Sequence, residues 1–165
     1  MQPEIVEKPS FQIIGMQYRG GDEKEKCRDL WNLFKERVKE VLPYAKNPVQ
    51  AFGIHTNYDD KTGTIEHTAG LEIEHSFLLP EKMVSIKIPE QTYAVFECTF
   101  PEIMNTFETF ENWVKTSGFE RSSGPEILRF DQPFDGNFNH QDPDAAVFLY
   151  IPVLTNADSA LSGKK

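Results

Sequence analysis

Asp22-Glu23-Lys24-Glu25 and Thr99-Phe100-Pro101-Glu102 carry the same signal twice. Each places a short polar residue at a helix N-cap position and a glutamate three positions on. In such a capping box the two side chains satisfy each other's orphan backbone N–H groups. An extended apolar run precedes each: Phe11-Gln12-Ile13-Ile14-Gly15-Met16 before the first, and Thr92-Tyr93-Ala94-Val95-Phe96 before the second. At the spacing that separates the two caps, Leu30 falls on Phe107 and Leu33 on Phe110, so the apolar helix faces match as well. A strand–helix unit repeated within 165 residues implies two like halves that bury their open faces against each other. The cleft between such halves is a natural small-molecule site.

Working outward, Ile5–Tyr18 reads as a strand interrupted near Pro9, ended by Gly20-Gly21. Cys27, Leu30, Trp31, Phe34, Val38, Val41 and Leu42 recur at helical spacing, and Pro43 stops the helix. Val49–His55 and Thr64–His75 read as a hairpin about the turn Tyr58–Gly63. Met83–Ile88 alternates like a half-buried strand, and Pro89-Glu90 turns it into Thr92–Thr99. Ile103, Phe107, Phe110 and Val114 form one face of the second helix, with Gly118 at its C-cap. The strand Pro125–Phe130, a polar loop Asp131–Asp144 and the run Ala146–Ile151 follow. That last run has no polar alternation, which predicts a central strand covered on both faces. Two strand-helix-strand-strand modules result, an α+β fold with an antiparallel sheet, both helices on one side and a ligand cleft between the halves. One domain spans 1–155, with halves at about 1–80 and 81–155; the polar segment 156–165 is expected to fray.

Charge narrows the function classes. Seventeen basic against 26 acidic residues give a net charge of −9, which argues against direct binding to duplex DNA. No apolar run approaches the roughly 20 residues that span a bilayer, and Met1–Lys8 lacks the features of a secretory signal. The two cysteines, Cys27 and Cys98, have no CxxC spacing and read as packing residues in a reducing, cytoplasmic compartment. His55, His67, His75 and His140 show no HxxxH or Cys/His pattern, so neither a metal nor another cofactor is expected.

Three stretches carry a family resemblance: Ile88-Pro89-Glu90-Gln91-Thr92-Tyr93-Ala94-Val95-Phe96-Glu97, the helix through Phe110-Glu111-Asn112-Trp113-Val114, and Phe148-Leu149-Tyr150-Ile151-Pro152-Val153. They resemble the GyrI-like effector-binding domain, also called the AraC-type or bacterial transcription activator effector-binding domain. The resemblance implies a pseudo-symmetric pair of modules with a ligand cleft at their junction, here as a free-standing copy. It also implies a buried glutamate two residues before a tyrosine on the final strand, attracting cationic, lipophilic ligands. The tyrosine is Tyr150, but Phe148 stands at the glutamate position. A ring offers a cation only about 0.5–2 kcal/mol through its quadrupole, so a more apolar pocket is expected.

Candidate ligand-binding residues follow. Phe148 and Tyr150 share a strand face; if Val147, Leu149 and Ile151 pack under the helices, that pair faces the cleft or is simple core. Glu72 and Glu74 share a face that reads as solvated, with Glu74 as the alternative source of the missing carboxylate. Glu97 is either a pocket acid or a strand-end charge, and Tyr93 is expected to line the cleft. Trp31 reads as packing; Trp113 either overhangs the pocket mouth or covers a sheet edge. The leading function is a module that senses or sequesters a hydrophobic or amphipathic ligand, with cations among the options. Its competitors are a hydrolase of strained cyclopropane-containing compounds, which needs Glu74 or Glu97 as general base, and a protein-binding inhibitor of gyrase type.

Overall fold

The computed structural model describes residues 2–21, 24–74, 78–135 and 137–155. Along them run β1 (Glu4–Lys8), β2 (Phe11–Gly20), α1 (Lys24–Arg37), β3 (Ala51–Asp59), β4 (Thr64–Ile73), β5 (Val84–Ile88) and β6 (Gln91–Cys98). Then come α2 (Ile103–Val114), β7 (Phe119–Arg121), β8 (Glu126–Phe130) and β9 (Val147–Thr155). The first predicted cap, His75 and the predicted tail lie outside the described residues. At the second cap the Glu102 carboxylate accepts the Thr99 backbone N–H at 2.9 Å and the Thr99 hydroxyl at 2.7 Å. The helix there opens through a 3-10 turn, Phe100–Glu102.

The strands pair antiparallel in the order β1-β6-β9-β8-β3-β4-β2-β5, and β7 pairs the far end of β9. Outward from the central pair β3·β8, each half places its last strand (β4 or β9) between its middle and first strands. The outermost strands are exchanged. β1, which leads into β2, pairs with β6 of the other half, and β5, which leads into β6, pairs with β2. Pro9 and Pro89 sit at the two crossings, where a residue without an N–H ends the ladder of one partner before the next begins.

This exchange explains what covers the helix-free face of the sheet. Phe11, Ile13, Ile54, Ile88, Tyr93 and Ile127, with Val6 and Ile86, form one buried cluster there from strands of both halves. The opposite face packs under the helices, α1 over β2 and β4, and α2 over β6 and β9. The central β9 is buried on both faces, as its unbroken apolar run predicted.

Two expectations need correction. The first helix ends at Arg37 rather than at Pro43, and 3-10 turns cover Val38–Glu40 and Leu42–Tyr44. Arg37 grips Glu40 through Nε and Nη2 at 2.7 and 2.9 Å, a pairing that suits the tighter three-residue turn. The matched pair Leu33 and Phe110 also fails: Leu33 is half exposed and Phe110 fully buried, because α1 turns Leu30, Trp31 and Phe34 to the core.

The loop between β8 and β9 reads as polar but is anchored by rings. Phe134 and Phe138 stack at 4.3 Å, and Trp31 packs within 5.3–6.4 Å of Phe138, His140 and Phe134. Lys35 Nζ donates to the Phe138 carbonyl at 2.7 Å, and the Gln132 amide bonds the Asn139 backbone at 2.8 and 3.1 Å. Burial, with Lys35 and Arg28 nearby, lowers the His140 pKa from 6.5 to about 4. The native state therefore holds this imidazole neutral at pH 7.

Two measurements check this packing. Gly15 and Gly70 are cross-strand partners on the helix-free face. A Cβ at Gly70 would lie 2.5 Å from the Ile14 carbonyl oxygen and 2.7 Å from Ile13 Cγ2. Gly70→Ala should cost about 1–3 kcal/mol in denaturant unfolding. Below pH 6.5 the unfolded chain binds a proton at residue 140 that the native state refuses. Stability contributed by neutral His140 is thus full above pH 6.5 and falls by up to about 3 kcal/mol as pH drops toward 4. In a His140→Phe variant that part of the pH dependence should vanish.

Candidate ligand-binding cleft

The seam β3·β8 forms a floor between the two helices. Its register sets Gly53 opposite Leu128 and His55 opposite Glu126. Above this floor opens a cleft of about 460 Å³ on the helical face of the sheet. α1 supplies Cys27, Leu30 and Trp31 to its lining, the 3-10 turn before α2 supplies Phe100, and the start of α2 supplies Ile103, Met104 and Phe107. The sequence-matched pair Leu30 and Phe107 thus lines the cleft from both halves. The β3–β4 hairpin contributes Tyr58 and Ile65, and the anchored loop contributes His140 and Gln141. Gly53 keeps the floor low. A Cβ added there would stand 3.6 Å from Trp31 and 3.7 Å from Phe130, ordinary contacts that take space from the cleft without disturbing its walls.

Few polar groups face this space. The hairpin register sets His55 opposite His67, and their rings meet edge to face at 4.8 Å. Tyr18 stacks on His67 at 5.3 Å, and Cys27 Sγ lies 3.7 Å from His67 Nδ1. Glu126 is the one carboxylate of the lining among the described residues, and it is ion-paired with Arg121, which also reaches Glu111 at 3.0 Å. With His140 neutral, the walls present rings and imidazoles rather than an unengaged charge.

The residues singled out from the sequence lie elsewhere. Val147, Leu149 and Ile151 do pack on the helical side, so Phe148 and Tyr150 point to the opposite face. Tyr93 joins them there, edge to face with Tyr150 at 5.6 Å, and burial pushes its pKa up to about 12. None of the three lines the cleft. Their face holds a cation of its own. The Arg129 guanidinium lies 4.1 Å above the Phe148 ring, donates to the Tyr150 hydroxyl at 2.6 Å and is held by Asp131 at 2.8 and 3.0 Å. Glu97 and Glu74 are exposed and not part of the lining. Glu72 is not a solvated charge, since its side chain is 11% exposed and pairs with Lys8 and Lys46, both at 3.4 Å. Trp113 stacks on Phe119 at 5.6 Å and packs on Phe110, which places it under β7 at the sheet edge rather than over the cleft.

Sequence reasoning weighed His55, His67 and His140 only as metal ligands, passed over Glu126, and read Cys27 and Trp31 as packing alone. The hairpin turn was legible and could have placed His55 opposite His67. Nothing local predicted that the loop from Asp131 onward folds His140 back onto Trp31. Among the described residues, no group of three or more His, Cys, Asp or Glu side chains could hold a metal ion, and no helix is long and apolar enough to cross a membrane.

Known proteins are similar to this chain in sequence and in fold. The family model of the integron-associated effector binding protein matches residues 4–153. The transcriptional regulator BrlR of Pseudomonas aeruginosa is 32% identical over 156 residues, covering 93% of this chain and 56% of the regulator, so the chain spans about half of that protein. The structure of SAV2435 bound to tetraphenylphosphonium superposes with a TM-score of 0.68 at 15% identity, covering 93% of this chain and 94% of the other. The EcmrR C-terminal domain gives 0.62 at 16% identity, covering 93% and 98%. The chain belongs to the integron-associated effector-binding protein family, with the fold of GyrI-like effector-binding domains.

Proposed function

We propose that the cleft over the β3·β8 seam binds a small aromatic or amphipathic molecule, for sensing or for sequestration. The observation that carries this reading is a space of about 460 Å³ walled by Trp31, Phe100, Phe107 and Phe130 from both halves. That volume lies within the roughly 300–1,000 Å³ of small-molecule sites. Ring walls supply contact area, and His55, His67 and Gln141 offer a few hydrogen bonds that fix orientation. The ligand named with SAV2435, tetraphenylphosphonium, has the size and aromatic character such walls would suit. Tyr93, Phe148, Tyr150, Glu74, Glu97 and Trp113 serve packing or the surface in this reading.

Charge argues for a neutral ligand at least as strongly as for a cation. The lining carboxylate, Glu126, is engaged by Arg121. A cation would therefore rely on ring faces, each contributing about 0.5–2 kcal/mol. The hydrolase reading in the form that takes Glu74 or Glu97 as general base finds no support here, since neither is in the lining.

Thermal unfolding with two probes tests this. A ligand at about 100 times its Kd stabilises by about 2.7 kcal/mol, a Tm rise on the order of 5–10 °C for a chain of this length. Triphenylphosphine oxide, neutral, should raise Tm at least as much as tetraphenylphosphonium; a shift with the cation alone would contradict the charge argument. Gly53→Leu projects a side chain from the floor into the cleft. It should keep the native circular dichroism and weaken either probe about tenfold or more, a loss of at least about 1.4 kcal/mol. Unchanged affinity in that variant would move the site elsewhere.

A further inference from the structure

Cys27 and His67 meet in the lining of the cleft, one from α1 and one from β4. The thiol lies on the α1 wall and the imidazole on β4, 40 residues away in sequence, and Sγ and Nδ1 stand 3.7 Å apart. His67 is 3% exposed and held between the Tyr18 ring at 5.3 Å and the His55 ring at 4.8 Å. Both partners belong to the cleft lining, and Cys27 is partly exposed. A thiol becomes a nucleophile when an adjacent base can take its proton. Here the neighbouring imidazole is fixed by ring contacts, and the cleft that both residues line is walled largely by apolar and aromatic side chains. Cys98 provides the contrast: it is buried, burial pushes its thiol pKa up, and it is not in the cleft lining.

We propose that Cys27 and His67 form a thiol–imidazole pair that captures apolar electrophiles of the Michael-acceptor class, such as aromatic α,β-unsaturated carbonyl compounds, within the cleft. His67 takes the thiol proton, and a sulfur lone pair forms the S–C bond to the β-carbon. The alkene π pair moves onto the carbonyl as an enolate, and the proton returns to the α-carbon. The product is a thioether adduct, with no net oxidation and no second reactant. The inference rests on the reading that the cleft admits ligands, and it makes Cys27 the residue that would retain them.

N-phenylmaleimide, followed by intact-protein and peptide mass spectrometry, tests the pair on the native protein. One adduct is expected, on Cys27, with Cys98 modified only after unfolding. The pH dependence of the labelling rate should have its midpoint at least one unit below the roughly 8.5 of a free thiol. His67→Gln should slow labelling about tenfold or more and return the midpoint toward that value. If this variant does not fold, the wild-type pH profile decides alone. Modification of Cys98 first, or a Cys27 profile like that of glutathione, would overturn the proposal. The saturated analogue N-phenylsuccinimide separates this inference from the one beneath it. Stabilisation by the analogue with no maleimide adduct leaves the cleft as a binding site and removes the nucleophile. A fast adduct on Cys27 with no stabilisation by any non-covalent probe leaves the nucleophile and counts against the binding module.

Discussion

The pairing of β3 with β8 is the constraint on which the rest of this molecule depends. Five residue pairs, from Ala51↔Phe130 to His55↔Glu126, join the middle strands of two modules that each carry their own helix. Because the modules meet edge to edge through their middle strands, α1 and α2 are placed on either side of a two-strand floor. Side chains on that floor are covered only by whatever lies between the helices. The exchange of β1 and β5 locks the arrangement from the other side, since each half supplies an outer strand to its partner's sheet. One face of the sheet is thereby filled by both halves, and the hollow is left on the helical face.

The chemistry of the two faces follows from which charges each one already holds. On the helix-free face, Phe148 stands where the family resemblance implies a glutamate, and Arg129 lies over its ring with Asp131 behind. A cation of the chain's own thus occupies that surface, bonded to the Tyr150 hydroxyl. On the helical face, Glu126 is engaged by Arg121 and His140 is held neutral by burial, so the cleft offers rings, imidazoles, one thiol and a few uncharged polar groups such as Thr68 and Gln141. On the proposed reading, selectivity at this site rests on shape and aromatic contact more than on charge.

Much of the fold was legible because it is written in local signals. The Thr99–Glu102 cap, the two interleaved helices, the hairpin about Tyr58–Gly63 and the apolar run of β9 all depend on near neighbours in sequence. The repeat even placed Leu30 and Phe107 at equivalent positions, and both line the cleft. The site itself was much less legible. Alternation along β9 correctly separated Phe148 and Tyr150 from Leu149, but it does not say which sheet face stays open. That depends on the strand exchange, a long-range event announced only by Pro9 and Pro89. The His55–His67 contact depends on hairpin register, and the approach of His140 to Trp31 on a loop whose composition reads as polar while its phenylalanines do the anchoring.

The most direct test of the account is a methyl-resolved NMR titration of the native protein with triphenylphosphine oxide. Methyl resonances of Leu30, Ile65, Met104 and Leu128, which belong to the cleft, should shift and show intermolecular NOEs, while those of Val6, Ile86 and Ile88 on the opposite face stay in place. Shifts and NOEs confined to the Val6, Ile86 and Ile88 group would contradict the assignment of the ligand to the space above the β3·β8 seam.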